Sequence, residues 1–209
     1  SGIKTRNATT VQKLLDAGAR FVGKAVTDEL AFSMNGQNAH FGNPVNGAAP
    51  DRITGGSSSG SASAVSNSLC DFALGTDTGG SVRAPANHCG LYGLRPTHGR
   101  ISLEGALDLS PSFDTCSWFT RDIQTYARVA DVLLGTDEHP LPAQVKLWLP
   151  TEIWSLLDPE VRSALQPALD LITRTHGQAQ PLDGFFGDFD ELYWSFRYIQ
   201  GREAWATDG

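Results

Sequence analysis

Apolar positions Val11, Leu14 and Leu15 recur at helical spacing after Thr10, a residue suited to capping, and Gly18 supplies a stop. The block from Phe21 to Val26 reads as a strand. From Met34 to Gly56 the chain is rich in Asn, Gly and Pro and has no period, which predicts a long loop that builds or covers a site. The small residues from Ser61 to Leu69 suit a helix packed closely on a sheet, and Phe72-Ala73-Leu74 follows as a short strand. Val82 to Asn87 reads as a helix that tolerates Pro85 in its first turn, and Leu91 to Leu94 as a buried strand ended by Pro96. Ile123, Tyr126, Ala127, Ala130, Leu133 and Leu134 mark an amphipathic helix that Gly135 terminates.

Beyond Gly135 the pattern becomes helical. Asp158-Pro159-Glu160 is a strong helix start, with Val161, Leu165, Ala168, Leu169 and Ile172 on one face before Gly177, and Pro167 is expected to bend it. An aromatic loop is expected over Phe185–Phe189, and Leu192, Phe196 and Ile199 continue as a helix face. Strands alternating with helices predict an α/β fold, a mixed β-sheet flanked by helices, with no internal repeat.

Composition narrows the function classes. With 40% hydrophobic and 19% charged residues among 209, the chain reads as globular. A net charge of −7 without any basic run argues against nucleic acid and anionic membrane surfaces, and no apolar stretch approaches a membrane span. Cys70, Cys89 and Cys116 form neither a disulfide framework nor metal-ligand pairs, and the five histidines show no metal spacing. A reducing, cytoplasmic setting without metal or cofactor is therefore expected. The start at Ser1 in a polar segment and the stop at Gly209 after an amphipathic run read as cuts within a longer domain.

The chemistry concentrates in Gly55-Gly56-Ser57-Ser58-Ser59-Gly60-Ser61 and Gly75-Thr76-Asp77-Thr78-Gly79-Gly80-Ser81. A flexible Gly/Ser linker would explain the first cluster alone, but its flanks place it inside a folded unit. Gly56 to Gly60 also satisfies the G-x-S-x-G elbow around Ser58; that motif needs a strand running into its first glycine, and Asn46 to Thr54 cannot be one. Ser1-Gly2-Ile3-Lys4 matches S-x-x-K only by spacing. In the second cluster, a glycine turn after a strand would present consecutive N–H groups beside a serine, a concavity for an anion. Asp77 would repel a phosphate there and is better read, with Arg83, as a pair that holds the turn rigid. Cys89 reads as buried packing and His98 as part of a turn. Met34 to Phe41 and Phe113 to Thr115 are candidate pocket walls; Trp118, Phe119 and the aromatics from Phe185 to Trp194 are read as either pocket or core.

These two clusters, together with Cys89-Gly90-Leu91-Tyr92-Gly93-Leu94-Arg95-Pro96-Thr97-His98-Gly99, closely resemble the amidase signature family, over about Thr9 to Gly135. Asp28 to Ser33 and Asn35 to Asn38 are most similar to stand-alone amidases of the indoleacetamide hydrolase type. The resemblance makes residues 1–135 the signature core and 136–209 a less diagnostic, helical part of the same partial amidase domain. It implies a Ser–cis-Ser–Lys triad, with Ser81 as nucleophile, Ser57 as the bridging serine behind a cis peptide bond, and an oxyanion hole from the N–H groups of Thr78, Gly79, Gly80 and Ser81. Such an enzyme would hydrolyse a small-molecule carboxamide to acid and ammonia through an acyl-serine, without a cofactor; a homodimer is left open. Its base is a lysine whose pKa must fall from about 10.4 by burial. The family's Lys-Asp motif lies upstream of Ser1, and neither Lys4 nor Lys24 has that context, so the catalytic lysine is expected outside this chain. Two other readings stay open: the glutaminase component (the A subunit) of a tRNA-dependent amidotransferase, and a catalytically inactive fragment.

Overall fold

The computed structural model describes residues 4–139, 142, 145–184 and 187–208. They form two compact units, one of residues up to Thr136 together with those from Arg197 on, the other spanning Asp137–Phe196.

The first unit is a three-stranded antiparallel sheet with helices on both faces. Strand β3 (Cys116–Thr120) lies in the centre, between β1 (Phe72–Thr76) and β2 (Tyr92–Gly93). Phe72 pairs with Thr120 and Thr76 with Cys116, while Tyr92 meets Thr120 from the other side. All five β3 residues are buried, and their alternation sends neighbouring rings to opposite faces. Trp118 joins Leu14 of α1 (Thr9–Asp16) and Val129 and Leu133 of α4 (Ile123–Leu134) in one cluster. Phe119 joins Ala62 and Val65 of α2 (Ser59–Ser66), Val82, and Ala86 of α3 (Arg83–His88) in the other. Sequence patterning does not pick out β3, because a strand buried on both faces loses the apolar–polar alternation that marks a half-buried one.

Local chemistry sets the helix ends. The Asp122 carboxylate accepts the Thr125 N–H at 2.7 Å at the start of α4, and Gly135 follows its last turn at φ 68°. Thr10 lies inside α1 instead of capping it, and its hydroxyl donates to the Ser102 carbonyl at 2.6 Å. α2 is stitched to the edge of β1 that β3 leaves unpaired. The Ser58 hydroxyl donates to the Thr76 carbonyl and accepts the Thr76 N–H, both at 3.2 Å, and Ser61 donates to the Leu74 carbonyl at 2.7 Å. Side-chain hydroxyls thus take the place of a neighbouring strand.

Two strand expectations change. Phe21–Val26 pairs with no strand among the described residues; Phe21 and Val22 are more than 60% exposed, and its main-chain tie is the Gly60 N–H to Val26 carbonyl bond of 3.0 Å. Leu91–Leu94 contributes only two paired residues, with Tyr92 half exposed. The long Asn-rich loop is ordered from within: buried Asn46 donates to the Ile53 and His88 carbonyls and accepts the N–H groups of Ala48 and Ala49, which uses its full capacity.

In the second unit, parallel strands β4 (Trp148–Pro150) and β5 (Gln180–Leu182) are linked through α5 (Thr151–Leu156) and α6 (Pro159–His176). Neither strand is legible in the sequence. α6 begins at Asp158-Pro159, runs through Pro167 without interruption and ends at Gly177. Helix α7 covers Phe189–Asp208, and of the expected aromatic loop Phe185 and Phe186 lie outside the described residues. No helix among the described residues is long and apolar enough to cross a membrane.

Gly75 packs closely against the residues that cap α2 and α3 and against β3. A Cβ there would stand 2.8 Å from Phe119 Cε2, 2.8 Å from Ser58 Oγ and 2.9 Å from Val82 Cγ2. Gly75→Ala is expected to destabilise the protein by about 1–3 kcal/mol through overpacking, read as a lower urea midpoint at unchanged m-value.

Candidate active site

The two glycine–serine segments meet where α2 begins and β1 ends. Ser57, behind a cis Gly56–Ser57 peptide bond, and Ser81 are both at least 95% buried. The Ser58 N–H donates to the Ser81 carbonyl at 3.3 Å, so the chain just after Ser57 runs against Ser81. Among the described residues neither the Ser57 nor the Ser81 hydroxyl has a hydrogen-bond partner.

The turn between β1 and α3 has an asymmetric pattern of satisfied amides. Asp77 N–H donates to the Thr115 carbonyl at 2.9 Å, and the Val82 and Arg83 N–H groups each donate to Asp77 Oδ2 at 3.1 Å. Between them, the N–H groups of Thr78, Gly79, Gly80 and Ser81 donate to nothing among the described residues. Four consecutive free donors next to a buried hydroxyl are able to hydrogen-bond to negative charge. Gly79 is exposed, while Thr78, Gly80 and Ser81 are buried. Gly80, at φ 140°, has Met34 Sδ within 2.8 Å of where a Cβ would stand. The Met34 carbonyl in turn accepts the Gly56 N–H at 2.9 Å, which ties the Asn-rich loop to both serine segments.

Asp77 is fully buried and saturated. Besides the two amides, its carboxylate takes Arg83 Nη2 at 2.9 Å, Arg83 Nε at 3.1 Å and Arg95 Nη1 at 3.3 Å. Burial alone would raise its pKa, but the hydrogen bonds and charge of Arg83 and the Val82 amide outweigh that and hold it below the ordinary value. Two residues outside the predicted site support the same turn. The Asp114 carboxylate accepts the Thr78 hydroxyl at 2.5 Å while taking the Leu109 and Ser110 N–H groups at 2.8 and 2.9 Å. Arg95 reaches the Asp77 and Thr78 carbonyls. By sequence Asp114 is only part of a candidate pocket wall and Arg95 only one letter of a motif; nothing in their local sequence points to the turn.

Other candidates separate cleanly. Trp118 and Phe119 are core side chains with no exposure, and Phe41 is 80% exposed. A concavity of about 410 Å³ is lined by Glu29, Phe32, Ser33, Asn35, Gln37 and Asn38 among others, and neither serine borders it. Burial raises the thiol pKa of Cys70 and Cys89 and pushes Cys116 up to about 11, which leaves no ready thiolate nucleophile. His98 is exposed and donates to the Pro111 carbonyl at 2.9 Å. Lys4, Lys13, Lys24 and Lys146 are all exposed. No group of three His, Cys, Asp or Glu side chains among the described residues is placed to hold a metal.

Helices on both faces of a sheet, with a strand running into a turn of four free amides, define an α/β protein. The Amidase family model matches residues 2–169, and the chain belongs to that family. It is 48% identical over 143 residues to Amidase 1 of Oryza sativa subsp. japonica, covering 68% of this chain and 33% of that protein. Identity to Amidase 1 of Arabidopsis thaliana is 55% over 130 residues, 62% of this chain and 31% of the relative. The crystal structure of the A subunit of glutamyl-tRNA(Gln) amidotransferase from Thermotoga maritima superposes with a TM-score of 0.84 at 29% identity, over 96% of this chain and 48% of that one. The chain therefore spans about a third of the length of the two Amidase 1 relatives.

The depressed Asp77 pKa makes a signed prediction. A carboxyl whose folded value lies below its unfolded value of about 3.9 contributes stability that is complete above that pH and is lost as pH falls through the folded value. Asp77→Asn should thus be less stable than the parent by a constant amount from pH 5 to 8, and the gap should shrink below about pH 4. Urea unfolding followed across that range measures it.

Proposed function

We propose that this chain carries the nucleophile, relay and oxyanion-binding parts of an amidase that hydrolyses a primary carboxamide to a carboxylic acid and ammonia. The single observation that carries the reading is the row of four free amides, Thr78 to Ser81, ending on a buried serine whose carbonyl is bound by the residue after Ser57. Ser81 Oγ attacks the amide carbon as its proton passes to Ser57 and on to a base, and the carbonyl oxygen becomes an oxyanion held by the amides of Thr78, Gly79, Gly80 and Ser81. Collapse of that intermediate breaks the C–N bond. The nitrogen takes up a proton and leaves as ammonia, giving an acyl-Ser81 ester that water then cleaves. Asp77 and Arg83 hold the turn and do not touch substrate.

The base in this reading is a neutral lysine. The four lysines of the chain are all exposed, and this reading takes the base from the remainder of the longer domain that the Amidase 1 relatives span. The likeness to the Thermotoga amidotransferase chain favours a second reading, in which the carboxamide is glutamine and the ammonia serves a partner protein.

In the full-length protein, Ser81→Ala should lower ammonia release from the best substrate among indole-3-acetamide, benzamide and glutamine by on the order of a thousandfold or more, and Ser57→Ala by a comparable factor, because residues acting as one unit fail together. Labelling by a fluorophosphonate should vanish in Ser81→Ala. Ammonia release at the parental rate from Ser81→Ala would overturn the assignment. Glutamine turnover that needs added partner proteins would select the second reading, and a folded parent that never labels would mark an inactive scaffold.

A further inference from the structure

Which way an amide points is set by the carbonyl of its own peptide unit. Apart from Gly56–Ser57, the described peptide bonds are trans, so in each unit the C=O and the following N–H point in opposite directions. Fixing a carbonyl therefore aims the next residue's N–H. The Asp77 carbonyl takes a close hydrogen bond from Arg95 Nη1 and a 2.7 Å bond from the Thr115 hydroxyl. The Thr78 carbonyl lies 3.3 Å from the same Nη1. These two carbonyls belong to the peptide units whose N–H groups are those of Thr78 and Gly79. At the far end of the turn, the Ala84 N–H holds the Gly80 carbonyl at 2.8 Å and so aims the Ser81 amide.

Arg95 is itself firmly anchored. Its Nη2 donates to the Phe113 carbonyl at 2.8 Å, its Nη1 lies 3.3 Å from Thr115 Oγ1, and its side chain is 24% exposed against 52% for Arg83. It also answers a problem of charge. A buried Asp77 carboxylate at the foot of the turn would by itself repel an oxyanion, and Arg95 adds a second guanidinium to that of Arg83 against it.

We propose that Arg95 is a positioning residue for the reaction: by binding the Asp77 and Thr78 carbonyls from behind, it turns the Thr78 and Gly79 amides toward the oxyanion. The proposal rests on the amidase reading and gives Arg95 no contact with substrate. A lysine is a poor replacement, because a single ammonium lacks the planar fork that reaches the Asp77, Thr78 and Phe113 carbonyls together.

The test compares Arg95→Lys, Arg95→Ala and Thr115→Val in the full-length protein, measuring carboxamide kcat and KM and the rate of fluorophosphonate labelling against pH. Misaiming the amides should lower kcat and the labelling plateau of Arg95→Lys about 10- to 100-fold, somewhat less than loss of a donor, with KM and the midpoint of the pH profile unmoved. Thr115→Val, which leaves Arg95 in place, should show a smaller loss of the same kind, and added guanidinium should restore part of the activity of Arg95→Ala. A purely structural role would lower the melting temperature while leaving kcat per folded molecule at the parental value. That result in Arg95→Lys, or in Thr115→Val should the Arg95 variants not fold, overturns the proposal. Ser81→Ala measured alongside separates the two levels. If it stays active, the amidase reading fails; if it is dead while Arg95→Lys turns over fully, only the role of Arg95 fails.

Discussion

The saturated carboxylate of Asp77 is the constraint on which the rest of the turn depends. An ionised acid with no solvent exposure is tolerated only if its oxygens are occupied, and here two main-chain amides and two guanidiniums occupy them. Those bonds draw the start of α3 back over the end of β1. The residues between, Thr78 to Ser81, cannot then satisfy their own N–H groups with helix or sheet partners. The free donors of the turn follow from the way Asp77 is satisfied, and the amide row and the buried acid form one device.

That device sits on a rigid support. β3 forms both walls of the core, Trp118 toward α1 and α4 and Phe119 toward α2 and α3. The segment leading into it, from Leu109 to Thr115, supplies Asp114 to the Thr78 hydroxyl and Thr115 to the Asp77 main chain. From α7, Glu203 fastens the same segment by accepting the Ser110 and Ser112 hydroxyls, and these bonds hold its carboxyl below the usual glutamate range. Serines at the start of α2 complete the arrangement by taking the polar groups of the β1 edge. Ser58, which by motif spacing alone looks like a hydrolase nucleophile, is spent on that edge.

Much of this is legible residue by residue. The period of α4 and α6, the Asp-Pro start and the glycine stops are local signals, and each element forms within a few residues of its expected place. The two glycine–serine clusters are legible as a candidate site because their flanks place them inside a folded unit and their spacing resembles a known signature. The misreadings have a common cause. Phe21–Val26 carries strand composition but finds no strand to pair with among the described residues, and Cys116–Thr120 forms the central strand with no alternation to announce it. Strand pairing depends on a neighbour distant in sequence, and composition cannot report whether that neighbour is there.

By itself the chain's order of residues determined its helices, its glycine-bearing turn, its two serines and its kinship, because backbone period, permitted φ and motif spacing are properties of short segments. Tertiary structure alone decided how the carbonyls behind the Thr78 and Gly79 amides are held. The Asp77 carbonyl, in the peptide unit that carries the Thr78 N–H, is held by Arg95, 18 residues away, and the Thr78 hydroxyl by Asp114, 36 residues away. A hydrogen bond between groups so far apart along the chain exists only once the sheet has brought their segments side by side, and no local pattern encodes it.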